Sequence, residues 1–302
     1  MKRFRLLTLL VSSFLYSEKY IMDLKALILV ICAFNFYAES SEIVPFVVNG
    51  TDATIEEFPF LVNILIKLNK FEFINIYCQA SLQYNRTHFC GSTIINEWWI
   101  LTAAHCVFKL QIELFRVLVE STYLDNSNPN LVQVDYWLIH DGYDASDYYI
   151  HDVAVVKLKE PLNIKLFDWK VKFATKSAYY PTGTPAVLAG WGTNGTVGSR
   201  QNTLQKVNLQ VYTARDCDAL HAGIVRSTNI CGGVEGGWQG QCIGDSGGPL
   251  LVNGVQVGIV SWSVKTCTTP PYPGVYTSVG HYIDWIEDKI GLKFSLNNFI
   301  VG

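Results

Sequence analysis

Three short stretches hold residue types that do chemistry together. They are "LTAAHC" with His105, "HDVAVVKL" with Asp152, and "GQCIGDSGGP" with Ser246. A serine hydroxyl is unreactive at neutral pH until a base takes its proton, so a nucleophilic serine needs a histidine, and the histidine needs an orienting acid. Glycines beside the serine let the backbone approach a substrate and aim N–H groups at a developing oxyanion. Each stretch also has a plainer reading. "GDSGGP" fits a glycine-rich turn, His105 a buried histidine bonded to backbone, and Asp152 a solvated carboxylate at a strand end. His151, beside Asp152, reads as a surface residue. The three residues follow in the order His, Asp, Ser, 47 and 94 residues apart.

These residues must be held by strands. From about residue 57 the chain runs in short apolar or alternating segments such as "GSTIINEWWILTA", "FRVLVEST", "DVAVVKL", "PAVLAGW" and "PLLVNGVQVGIVSW". Many are rich in β-branched and aromatic residues, and "VNGV" (252–255) is a hairpin signal. Many strands with few helical patterns indicate an all-β design. The clearest helix lies near the end, where Ile283, Trp285, Ile286 and Ile290 roughly follow helical spacing in "HYIDWIEDKI". A shorter one is expected in "TARDCDAL" (213–220) behind a Thr cap. Segments 67–88 and 125–130 read as surface loops.

Composition sets the context. The 302 residues are 49% hydrophobic and 16% charged, with a net charge of −3 and no basic run, which argues against nucleic acid as a partner. "MKRFRLLTLLVSSFL" and a second unit from Met22 pair a charged start with a short apolar run. Neither reaches the ~20 apolar residues of a membrane span. A secretory signal peptide over 1–38 is expected, with Met22 an alternative true start. One of the eight cysteines, Cys32, lies in that segment, which leaves seven, so at least one thiol is free or intermolecular; Cys78 falls in the loop 67–88. Of three Asn-x-Ser/Thr triplets, Asn85 and Asn194 are expected on loops and open to glycans; Asn49 is not expected to carry one.

At this point the chain resembles the chymotrypsin-like (trypsin-fold) serine endopeptidases. The resemblance runs from about Val47 to Ile290 and rests on "LTAAHC", "DVAVVKL", "GWG" (190–192), "GDSGGP", "VSW" (260–262) and "PGVY" (273–276) in that order. It implies two six-stranded antiparallel β-barrels with a C-terminal helix. His105 would be general base and acid, Asp152 its orienter and Ser246 the nucleophile, with the N–H groups of Gly244 and Ser246 as oxyanion hole. Ser261, Trp262 and Ser263 would pair with the substrate backbone. It implies disulfides Cys90–Cys106, Cys217–Cys231 and Cys242–Cys267; the first, closing a loop of about 17 residues, contributes about 3 kcal/mol in the chain-entropy model. No metal or cofactor is expected: the family's calcium loop has no matching acidic pair around Glu113 and Glu120.

The resemblance also places a specificity pocket at Gly240, Ser263 and Gly274. Family members that prefer Lys or Arg carry Asp where this chain has Gly240, and a buried cation without such a partner is costly. Gly240 and Gly274 favour a large apolar residue before the scissile bond, while Ser263 keeps an elastase-like preference for smaller residues open. The mature start would be Val47 in "VVNGTDA", its amine pairing with Asp245 after removal of residues 39–46. Phe46 precedes the cut where Lys or Arg is usual, which suits activation by a chymotrypsin-like enzyme, this one included. Residues 47–302 would be a secreted, monomeric catalytic domain. Its expected partners are protein and peptide substrates and protein protease inhibitors, with no stable membrane anchor. The alternatives are a non-catalytic homologue that binds proteins and a membrane-tethered protease.

Overall fold

In a computed structural model, the described residues are 51–52, 79–124, 131–162, 171–195, 202–264 and 266–294. The expectations for Cys32, Phe46, Val47, Asn49, Cys78 and the loop 125–130 fall on residues outside them.

Six strands form the first barrel: β2 (Gln79–Tyr84), β3 (Thr87–Asn96), β4 (Trp99–Thr102), β5 (Phe115–Leu118), β6 (Leu131–Ile139) and β7 (Ala154–Leu158), numbered after β1 (Thr51–Asp52). They close in the order β2-β3-β4-β7-β6-β5, antiparallel throughout. Closure leaves no unpaired barrel edge. Ile94, Ile100, Leu101, Phe115 and Val155 fill the interior and are fully buried.

The second barrel follows β8 (Lys172–Phe173). Its strands are β9 (Pro185–Gly190), β10 (Gln205–Tyr212), β11 (Asn229–Gly233), β12 (Pro249–Val252), β13 (Val255–Trp262) and β14 (Gly274–Ser278). The antiparallel ring runs β9-β10-β11-β14-β13-β12 and returns to β9, with β1 added to β10 and β8 to β13. Leu188, Leu250, Val257 and Tyr276 are the centre of its core. The fold is therefore the expected pair of six-stranded barrels. The "VNGV" hairpin joins β12 to β13, with Asn253 and Gly254 both at positive φ (49° and 74°), the geometry that keeps a two-residue turn in step with strand twist.

Helix α1 (Ala214–Leu220) starts where Thr213 Oγ1 accepts the Asp216 N–H at 3.2 Å, the expected cap. Helix α2 (Val279–Ile290) buries Val279, Tyr282, Ile283, Ile286 and Ile290 in the cluster that includes the first barrel's interior, and ends at Gly291 with φ 69°. No helix among the described residues is long and apolar enough to cross a membrane.

One expectation fails. Residues 79–84, read as part of a surface loop, form β2, and all but Tyr84 are buried. The strand alternates in an unusual sense: Ala80 and Leu82 face the barrel core, while the polar Gln79, Ser81 and Gln83 are buried on the other side. Only Asn85 and Arg86 form the exposed turn, both at positive φ.

Candidate active site

The separation of His105 and Asp152 is bridged by strand pairing. Strands β4 and β7 lie side by side with Thr102 opposite Ala154. His105 lies in a 3-10 turn (Ala104–Cys106) just after β4, and Asp152 lies two residues before β7, so both emerge at the same end of adjacent strands. Oδ2 of Asp152 accepts a hydrogen bond from His105 Nδ1 at 2.7 Å, and Oδ1 accepts from the His105 backbone N–H at 2.9 Å. Ser261 Oγ, near the end of β13, donates to Oδ2 at 2.6 Å. Thr277 Oγ1 on β14 donates to the Asp152 carbonyl at 2.9 Å.

The Asp152 side chain is completely buried and the His105 ring is 19% exposed. A carboxylate only accepts, so Nδ1 carries the hydrogen and Nε2 is left as the basic nitrogen. Burial opposes charging the ring, but the Asp152 charge and hydrogen bond outweigh it, and the His105 pKa lies above the usual 6.5.

Ser246 occupies a tight turn gripped by both barrels. Its carbonyl accepts from Gly91 N–H of β3 at 2.7 Å, and the next N–H, of Gly247, donates to Val260 of β13 at 2.8 Å. Gly247 has φ 79°, and a Cβ there would collide with Thr102 Oγ1 and come within 2.6 Å of the Gly91 carbonyl. Only glycine fits. The serine thus sits on a turn packed directly against the end of β4. Among the described residues no hydrogen bond joins Ser246 Oγ to His105; Nε2 lies 3.7 Å from Cys106 Sγ. Such bonds are often loose before substrate binds.

Gly244 has φ 101°, and its carbonyl is tied to His88 Nε2 at 2.9 Å, while Ser81 Oγ meets His88 Nδ1 at 2.8 Å. The buried polar face of β2 therefore braces this turn. The Asp245 N–H donates to Cys242 at 3.1 Å, whereas the N–H groups of Gly244 and Ser246 have no acceptor among the described residues. Two unengaged donors flanking an engaged one suit a ligand oxygen. Asp245 is fully buried and accepts from the N–H groups of Gly192 and Cys242, each at 2.9 Å. Burial pushes its pKa up to about 7, against the pull of those two bonds.

All three disulfides are formed: Cys90–Cys106, Cys217–Cys231 and Cys242–Cys267. Cys90, His105 and Cys106 cluster as metal ligands would, but the two sulfurs are bonded to each other and offer no thiolate.

Beside Ser246 lies a cavity of about 160 Å³, lined by Gln241, Val260, Trp262, Ser263 and Cys267 among others. A smaller chamber of about 10 Å³ adjoins Gly240, Thr268 and Gly274. The space beside Gly274 is shared with the Gln241 side chain, which a Cβ there would approach within 2.6 Å. Sequence reasoning missed Gln241, which sits beside Gly240, and Tyr149, whose ring packs edge-on to His105 at 5.5 Å. Periodicity could flag neither; only closeness to Ser246 and Asp152 in the sequence marked them. His151 is half-buried rather than a simple surface residue: its ring stacks on His140 at 4.6 Å and Nδ1 bonds Tyr282 Oη at 2.6 Å.

Two antiparallel barrels with a histidine–aspartate pair and a glycine-bound serine between them define a serine protease of the two-barrel class. The family model described as Trypsin matches residues 47–286, and the chain belongs to that family. Serine protease 1 of Rattus norvegicus is 36% identical over 211 residues, 67% of this chain and 80% of that protein. Trypsin of Sarcophaga bullata is 34% identical over 246 residues, 80% of this chain and 87% of that protein. The structure of neuropsin, a serine protease expressed in the limbic system of mouse brain, superposes with a TM-score of 0.64 at 29% identity, covering 71% of this chain and 94% of that one.

Proposed function

We propose that the chain is the precursor of a secreted endopeptidase that cleaves peptide bonds through an acyl-enzyme. Ser246 Oγ attacks the carbonyl carbon while its proton passes to His105 Nε2. Asp152 holds the ring in the required tautomer and stabilises the imidazolium. The oxyanion meets the N–H groups of Gly244 and Ser246. The C–N bond breaks as Nε2 returns the proton to the leaving amine, and water repeats the sequence on the ester. Ser261, Trp262 and Ser263 at the end of β13 offer the substrate a strand to pair with. The observation that carries this reading is the buried Asp152 bonded at 2.7 Å to His105, on strand ends packed against the Ser246 turn.

Substrate preference is for an apolar or aromatic side chain before the scissile bond. Among the described residues neither cavity is lined by a charged side chain, so a substrate Lys or Arg would be buried without a counter-charge. Residues 1–38 act as signal and 39–46 as propeptide. Cleavage after Phe46 frees the Val47 amine to meet Asp245, whose buried carboxyl has no cationic partner among the described residues. The pocket suits Phe46, so the enzyme activates itself. Gln241 occupies part of the pocket's depth, which favours a second reading: an elastase-like preference for smaller side chains.

Two measurements test these statements. A serine-directed phosphonylating reagent should label Ser246 in the processed chain and nothing in Ser246→Ala; an unlabelled processed chain points instead to a binding homologue. The Ser246→Ala precursor should be cut at Phe46–Val47 only when active enzyme is added. Cutting there by a Lys/Arg-specific protease alone would sink the activation scheme.

A further inference from the structure

Gln241 lines both the cavity beside Ser246 and the small chamber at Gly240. It is 3% exposed, and its Nε2 donates to the Trp262 carbonyl at 2.9 Å. A carbonyl oxygen only accepts, so this bond fixes which way round the amide lies. Oε1 consequently faces away from Trp262, toward Gly274, where a Cβ would come within 2.7 Å of it. Oε1 is buried and has no hydrogen-bond partner among the described residues, and neither has Thr268 Oγ1. Both residues line the inner chamber of about 10 Å³, room for about one water molecule. Unpaired buried polar atoms are costly, and two lining a space of this size call for a hydrogen-bonding guest, a water or the ligand group that replaces it.

We propose that Gln241 is a specificity-determining residue that reads the tip of the substrate side chain: Oε1 accepts the hydrogen bond of a phenolic hydroxyl whose oxygen accepts from Thr268 Oγ1, so tyrosine is preferred to phenylalanine before the scissile bond. The proposal rests on the aromatic preference given above and narrows it. Val260, Trp262 and the Cys242–Cys267 disulfide provide an apolar wall for a ring, and the cavity of about 160 Å³ leads from Ser246 to the Gln241 amide. A tyrosine hydroxyl needs one acceptor. The amide of Asn or Gln brings two donors and an oxygen that would require a donor in return, and the Gln241 Nε2 is already committed to Trp262. Phenylalanine fills the same volume but displaces water from the chamber without replacing its hydrogen bonds, which lowers kcat/KM for phenylalanine. Self-processing at Phe46 is therefore slower than cleavage after tyrosine.

The test compares kcat/KM for paired peptides that differ only in Tyr or Phe before the cut, on the processed enzyme and on its Gln241→Leu and Thr268→Val variants. The expected preference for Tyr is about tenfold, falling to near one in Gln241→Leu and part of the way in Thr268→Val. Because each ratio is taken within one protein, a variant that folds poorly lowers both rates and leaves the ratio readable. A ratio near one in the unaltered enzyme, or an unchanged ratio in Gln241→Leu, overturns the proposal while leaving the aromatic preference intact. Cleavage after neither Tyr nor Phe, with cleavage elsewhere, overturns both. If the processed chain hydrolyses nothing, calorimetric binding of product peptides ending in Tyr or Phe decides the matter. Tighter binding of the Tyr peptide, lost in Gln241→Leu, supports the proposal, and equal binding refutes it.

Discussion

Raising the pH on the unprocessed Ser246→Ala chain forces Asp245 to ionise inside a turn from which water is excluded. Burial drives this carboxyl from 3.8 to about 7, with the Cys242 and Gly192 N–H groups offsetting part of the effect. The folded chain keeps a proton that the unfolded chain releases between those two values. Stability therefore falls as pH rises through this window and levels off above about 7. A gap of about three pH units at about 1.4 kcal/mol each amounts to about 4 kcal/mol. Urea unfolding at a series of pH values, with disulfides intact, measures it against Ser246→Ala/Asp245→Asn. The amide gives up one of the two accepted hydrogen bonds and starts less stable, but it cannot titrate, so the comparison is of slopes. The chain with Asp245 should lose about 4 kcal/mol more than the Asn chain across the window. Parallel slopes would refute the picture of a buried carboxyl that holds its proton. If cleavage after Phe46 brings the Val47 amine to this carboxylate, as proposed, the slope difference should reverse sign in processed enzyme.

Asp152→Asn places an NH₂ group against either His105 Nδ1–H or the His105 backbone N–H, so the ring loses its tautomer; kcat should fall about 10⁴-fold with an unchanged circular dichroism spectrum, the magnitude being that of the general triad template. The acid limb of the kcat/KM profile should lie above 6.5, because Asp152 raises the pKa of a base that must be neutral to act; a midpoint below that value contradicts the buried pair. His88→Phe removes the bond to the Gly244 carbonyl and should lower kcat about tenfold with little change in KM, as expected of a group that steadies transition-state donors. Replacing Cys90 and Cys106 by Ala opens a loop with a separation of 16, and should lower unfolding stability by about 3 kcal/mol.

How much of this was legible depends on what each residue faces. The β4 and β7 strands announce themselves as apolar runs, and once they pair, the distance between His105 and Asp152 closes without further information. The hairpin at Asn253–Gly254 and the face of α2 follow from local rules of turn and helix. Strand β2 was hidden because Gln79, Ser81 and Gln83 read as solvent-facing; yet Gln79 lies against Gly248 and Ser81 bonds the His88 that holds Gly244, in the Ser246 turn 150 residues and more away in the chain. Gln241 was hidden for a related reason. Its meaning lies in the direction of one amide, set by Trp262, and the adjacent glycine suggested an empty space that the side chain fills.

Asp152 is held by His105 in the first barrel and by Ser261 and Thr277 in the second, and Ser246 is anchored to Gly91 and, through Gly247, to Val260. The reacting groups are thus rivets across a seam. Small sliding of one barrel against the other should strain these rivets before either core opens. Pressure or dilute chaotrope should accordingly silence catalysis while both barrels remain intact, which makes turnover a gauge of how tightly the seam is shut.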